Sequence, residues 1–247
     1  MRSTLYFLLF LISFTGQTLA QERNITFLNQ HMFPTSDNSA YAYKSVCVES
    51  ADGNSITRVF TLSNQLEKII KVSFNEEGQF EEELTETYNA QGELISKKVK
   101  NLANGRYLIQ YFDNGEFIGE SVLTADRKYE TSLPGVDKPI LSDHDPLAAS
   151  PHVNQEEWTK HLVNNLRYPS QSRRLGEEGT VVLALLISTD GELHTLEVAN
   201  PAGLSKHLSE EAIRVTRAYQ GKYFAGKDPE GNLVESWLYI PIRFKLS

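Results

Sequence analysis

Across residues 25–128, short β-rich runs alternate apolar with polar positions, and each run ends in residues that favour turns. One turn pattern recurs: an aromatic residue, then Asn or Asp, then Gly, then an aromatic residue or Leu. It appears as Phe74-Asn75-Glu76-Glu77-Gly78-Gln79-Phe80, as Tyr88-Asn89-Ala90-Gln91-Gly92-Glu93-Leu94 and as Phe112-Asp113-Asn114-Gly115-Glu116-Phe117. Asn and Asp bond their own backbone in turns and Gly supplies a positive φ, so each instance predicts a hairpin and the series predicts a meandering antiparallel sheet. Charged stretches such as Glu81-Glu82-Glu83 and Lys97-Lys98 lie between the turns, which predicts that one face of this sheet is solvated. The single cysteine, Cys47, falls in an alternating run and reads as a small buried hydrophobe without an internal disulfide partner.

Past residue 129 the alternation fades, and Leu133-Pro134-Gly135, Lys138-Pro139, Asp145-Pro146 and Ser150-Pro151 interrupt any regular element. Residues 130–154 therefore read as a linker. His144 and His152 lie there without companions at ligand spacing and read as solvated residues, not metal ligands. A helical period follows: Asn154 and Glu157 form a capping box, Trp158, Leu162 and Leu166 recur on one face, and Tyr168-Pro169 ends a helix over 155–166. The continuous β-rich run 179–188 predicts a central strand, turned by Thr189-Asp190-Gly191-Glu192 into a partner over 193–199. A second helix is expected with Ser209 as N-cap, Glu210 and Glu211 in its first turn, Leu208 and Ile213 as a hydrophobic staple, and an end near Gly221. After a turn-rich loop over 226–231, an alternating strand fills 234–246. The fold class is thus α+β: an all-β meander over 21–129, then a module over 155–247 with two helices on a small antiparallel three-stranded sheet.

The last strand carries the candidate binding residues. Val234, Leu238, Ile240, Ile242, Phe244 and Leu246 share one parity and are expected to face the helices. Glu235, Trp237, Tyr239, Pro241, Arg243 and Lys245 share the other. Pro241 cannot donate a ladder hydrogen bond, which places this strand at an edge or a bulge, and an unpaired edge is a template for another strand. Trp237 and Tyr239 would flank an incoming segment, and Arg243 and Lys245 would suit acidic residues on it. The same outward set equally fits a cover for the second sheet face, a contact with the N-terminal module, or a homodimer through paired edges. Tyr168 and Pro169 serve either as a helix stop or as further contact residues.

Tyr168-Pro169, Gly179-Thr180-Val181, Asp190-Gly191, Glu211-Ala212-Ile213-Arg214, Gly226-Lys227 and Pro241-Ile242-Arg243-Phe244 occur in an order and spacing that resembles the TonB C-terminal domain over residues 155–246. That resemblance implies two helices against a small antiparallel sheet. It also implies a function: binding the TonB box of outer-membrane receptors as an added strand. The chain departs from the family where Tyr223-Phe224-Ala225-Gly226 stands in place of aromatic-x-Pro-Gly, and where a long proline-rich spacer would precede the domain. The N-terminal turns resemble the sheet repeats of the MORN and YwqK-antitoxin-like class.

Composition narrows the partners. A chain of 247 residues is long enough for two modules, and its net charge of -8 gives no electrostatic reason to seek nucleic acid or an anionic membrane surface. Arg2, an apolar run over 5–14 and Thr18-Leu19-Ala20 have the layout of a secretory signal over residues 1–20, cleaved after Ala20 to leave a periplasmic protein. An uncleaved segment would instead anchor it in the inner membrane, facing the periplasm, where a motor complex becomes a further partner. Nucleophile-elbow, zincin, dithiol and phosphate-loop motifs are missing, so neither catalysis nor a cofactor is expected. Two other classes stay open: a scaffold whose sheet binds glycan or peptidoglycan, and a hydrolase built on Ser188, Asp190 and His194.

Overall fold

The computed structural model describes residues 23–228 and 231–246, so the stretch read as a secretory signal lies outside the described residues. Ten strands make the first sheet: β1 (Arg23–Leu28), β2 (Tyr43–Glu49), β3 (Ser55–Thr61), β4 (Leu66–Asn75), β5 (Phe80–Tyr88), β6 (Leu94–Asn101), β7 (Tyr107–Asp113), β8 (Glu116–Leu123), β9 (Tyr129–Ser132) and β10 (Ile140–Ser142). Each pairs antiparallel with its neighbour in sequence, so the sheet is a pure meander. The turn chemistry explains the connectivity. At 89–93, Asn89 Oδ1 accepts from Gln91 and Glu93 N–H while Gly92 takes φ 81°, which closes β5 onto β6. The earlier turn departs from its reading: Gln79, not Gly78, holds the left-handed position, at φ 55°.

This sheet has almost no core. Val48, Ile56, Leu84, Val99, Leu108 and Val122 fall in one cross-strand row, interrupted only by Lys71, yet all are only half-buried. On the opposite face the row Cys47, Thr57, Ile70, Thr85, Lys98, Ile109, Ser121, Thr131 is mixed. Both faces are therefore partly solvated, where the charge pattern suggested one. Cys47 is half-buried, and of the buried hydrophobic residues only Leu28 and Val59 lie in these strands. Cross-strand contacts do the holding: Lys98 Nζ sits 3.9 Å over the Tyr107 ring, and the Tyr107 and Tyr129 hydroxyls are 2.9 Å apart.

The stretch read as a linker is built into the structure. β9 and β10 extend the sheet, and β11 (His152–Val153) pairs with β14 (Tyr223–Phe224) of the following module. Asp145 is fixed by hydroxyl donors from Tyr111 and Ser121, each at 2.7 Å. Proline broke the periodicity that sequence reading relies on, but it sits between these short strands and leaves their ladders intact.

The second module contains α1 (Gln155–Asn165), α2 (Ser170–Leu175), β12 (Gly179–Ile187), β13 (Leu193–Val198) and α3 (Lys206–Arg217). A small hairpin, β15 (Gly226–Lys227) with β16 (Leu233–Val234), and the final strand β17 (Ser236–Phe244) complete it. Its main sheet runs β13-β12-β17, all antiparallel. Three helices form where two were expected, because Tyr168-Pro169 stops α1 and Pro169 then serves as N-cap of α2. Asn154 caps α1 by accepting from Glu157 N–H. The N-cap of α3 is Ser205 and not Ser209, and its hydroxyl is occupied by a 2.5 Å bond to Glu177.

Packing here is dense. Val181, Leu183, Leu185 and Ile187 of β12 lie on one face against Ile240, Ile242 and Phe244 of β17, Leu208, Ala212 and Val215 of α3, and Trp158 of α1. Each fully buried aliphatic side chain contributes roughly 1.5–3 kcal/mol. Glu211 ties the helices together: burial pushes its carboxyl up, but bonds from Arg214 and from the Arg167 N–H outweigh this and hold it below its ordinary value. Arg214 also donates to the Asn165 carbonyl at the end of α1.

Candidate functional site at the β17 edge

β17 is the outer strand of the three-stranded sheet and pairs only with β12. The register identifies which of its backbone groups face outward. Val182 receives Ala199 N–H at its carbonyl and gives its own N–H to Asn200, both on the β13 side. Its partner on β17, Pro241, therefore turns its backbone away from β12. By the same alternation Trp237, Tyr239 and Arg243 offer N–H and C=O groups to the free edge, while Leu238, Ile240, Ile242 and Phe244 bond to β12. Pro241 supplies only a carbonyl, so the row of edge donors has a gap in its middle.

The side chains divide as the parity requires. Ile240, Ile242 and Phe244 are buried against the helices, whereas Tyr239, Pro241, Arg243 and Lys245 are exposed and Trp237 is half-buried. Pro241, Arg243 and Lys245 form an open cationic end. Trp237 and Tyr239 instead meet the N-terminal module. His31, from the loop after β1, stands edge-on to Trp237 at 4.8 Å, and its Nδ1 is 3.0 Å from the Tyr239 hydroxyl. Its Nε2 is 2.8 Å from Glu197 of β13. Glu197, Ala184 and Tyr239 are adjacent in register, so the imidazole spans all three strands and covers Ala184. Asn29 and Gln30 extend the contact through bonds to the Ala199 carbonyl and to Glu197, both at 2.8 Å. Burial, then the nearby Tyr43 and Glu197, push the Tyr239 phenol up.

Tyr168 and Pro169 lie away from this edge. The Tyr168 ring packs edge-on against Phe244 at 5.8 Å, its hydroxyl donates to the Glu177 carbonyl, and Arg173 lies over its face. The expected contact residues thus form two groups, and the structure brings only the β17 set together. Asn29, His31 and Glu197 escaped the sequence reading because nothing local marks them; they meet across 166 or more residues.

An edge strand on a two-layer α+β module, with a proline in its free edge and cations at its end, is the geometry against which similarity can be judged. Residues 164–246 match the family described as Gram-negative bacterial TonB protein C-terminal. The match covers a third of the 247-residue chain and leaves out most of α1 and the whole ten-stranded sheet. No curated protein and no solved structure matches the chain. The TonB C-terminal domain is a non-enzymatic protein-interaction domain of envelope-associated proteins. In the hydrolase grouping, Ser188 Oγ accepts from Glu192 N–H, His194 pairs with Glu235 at 2.6 Å, and no hydrogen bond joins Ser188, Asp190 and His194 among the described residues. No described helix is long and apolar enough to cross a membrane, and no group of three or more His, Cys, Asp or Glu among the described residues is placed to hold a metal ion.

Proposed function

We propose that this is a TonB-like envelope protein that binds an extended segment of an outer-membrane receptor, adding it as a strand along the free edge of β17. The observation that carries this reading is the one-sided pairing of β17 in a region matching the TonB C-terminal family. Main-chain bonds to the outward groups of Trp237, Tyr239 and Arg243 would supply affinity. Arg243 and Lys245 would favour acid on the incoming strand, and the side chains of Trp237 and Tyr239, braced by His31, would shape its other end. Tyr168 and Pro169 are left as framework. On this reading the chain acts by binding and not by catalysis, needs no cofactor, and works in the periplasm. Energy-dependent transport would further require a tether to an inner-membrane motor complex.

Amide hydrogen exchange on the full chain, with and without TonB-box peptides, tests the mode. Added protection should appear at Trp237, Tyr239 and Arg243 and not at their already bonded even-numbered neighbours. Unchanged exchange at those three amides under saturating peptide would rule out strand addition here. A concentration-dependent dimer that protects the same amides without peptide would replace the receptor with a second copy of the chain.

A further inference from the structure

A cleft of about 1020 Å³ opens where the end of the ten-stranded sheet meets the second module. One wall holds three parallel rings: His144 stacks on His152 at 4.1 Å, and His152 on Phe224 at 4.7 Å. Phe224 is exposed, as is Val163 of α1 on the lining. The rest is mixed, with acidic and basic side chains in equal number beside Val153, Tyr223, Ala225 and Leu233. Asp190 and Lys160 line it without a hydrogen bond or ion pair among the described residues.

Each feature excludes a ligand class. Balanced charge argues against a polyanion such as a nucleotide, which would need net positive lining. A half-open cleft with charged side chains along its lining does not shelter an acyl chain from water. Its volume sits at the upper end of the roughly 300–1,000 Å³ typical of small-ligand sites, so the occupant has several rings and not one. The stack covers both faces of His152 and leaves the outer face of exposed Phe224 open, so a ring with an apolar face and hydroxyls at its rim meets that face and the neighbouring carboxylates and ammoniums at once. We propose that this cleft is a binding site for an uncharged oligosaccharide, seated on the open face of Phe224 at the end of the stack and hydrogen-bonded by Asp190 and Lys160. The proposal is independent of the β17 reading, since no residue it uses belongs to that strand.

The test is titration of the full chain with the tetramer of N-acetylglucosamine and with maltotetraose, followed by calorimetry and amide NMR. At least one should saturate with Kd of about 1 mM or tighter. The shifts should map to residues lining the cleft. Asp190→Ala should weaken binding at least tenfold, and so should Val163→Trp, which fills the cleft from an exposed helix position without entering the core. Both variants should keep the wild-type melting midpoint and peptide binding at β17. Absence of saturable shifts with both sugars at about 10 mM, shifts mapping elsewhere, or wild-type sugar affinity in both variants would overturn the proposal.

Discussion

The two modules solve the same problem of pairing antiparallel strands by different means. The ten-stranded sheet leaves both faces partly wet and relies on turn chemistry, cross-strand pairs and one pinned aspartate, Asp145. The second module closes one face of three strands with helices and buries Val181, Leu183, Ala184, Leu185 and Ile187 of β12. An open single layer excludes little water, so its side chains act in pairs; a closed layer makes each core residue depend on many others. Sequence changes should therefore be felt very unequally in the two halves.

The largest expected effect is in the closed layer. Leu183→Ala should cost about 3–4 kcal/mol in urea unfolding, whereas Leu84→Ala in the open sheet should cost about 1 kcal/mol. Similar losses at both sites would erase the contrast. Next comes acid sensitivity at the junction. Burial, followed by His144 and Lys227, pushes His152 down to about 4. A depressed histidine is disfavoured as a cation in the fold, so its contribution is complete above the ordinary value near 6.5 and is lost as pH falls from there through about 4. After allowance for solvent screening the loss is about 2 kcal/mol. Unfolding at pH 7 and pH 4.5 should show it, and His152→Gln should flatten it.

Smaller effects probe how the halves communicate. His31→Ala should cost about 1–2 kcal/mol, and a double-mutant cycle with Tyr239→Phe should return a coupling on the order of 1 kcal/mol. Additive costs would mean that the hydrogen bond across the junction contributes nothing. Smallest is Tyr223→Phe, which removes a buried hydroxyl that has no hydrogen-bond partner among the described residues. It should leave stability unchanged or raise it by up to about 1 kcal/mol.

Much of this was readable from the sequence where the signal is local. The Asn89 to Gly92 turn, the Asn154 cap and the parity of 238–244 each depend on neighbours a few residues apart. Helix α2 was missed because a Tyr-Pro step reads as a stop, although proline is also a good helix start. Ser209 reads as the N-cap because Glu210 and Glu211 resemble first-turn acids, yet the helix starts after Ser205 and Glu211 belongs to the α1 contact deeper in it. β9 and β10 are too short to show alternation between their prolines. The site was legible as a strand and illegible as a surface: Trp237 and Tyr239 were named, but the histidine that occupies them comes from the far end of the chain.

That histidine also alters how the molecule would carry tension. The chain enters the second module through β11, beside the last strands of the long sheet, and the His31 loop reaches back to the same module from the first strand. A pull on β17 would then be shared between two attachments, one covalent and one not. The noncovalent one bears directly on Tyr239 and Trp237, so its release would free β17 from the N-terminal module while the ladder to β12 stayed paired.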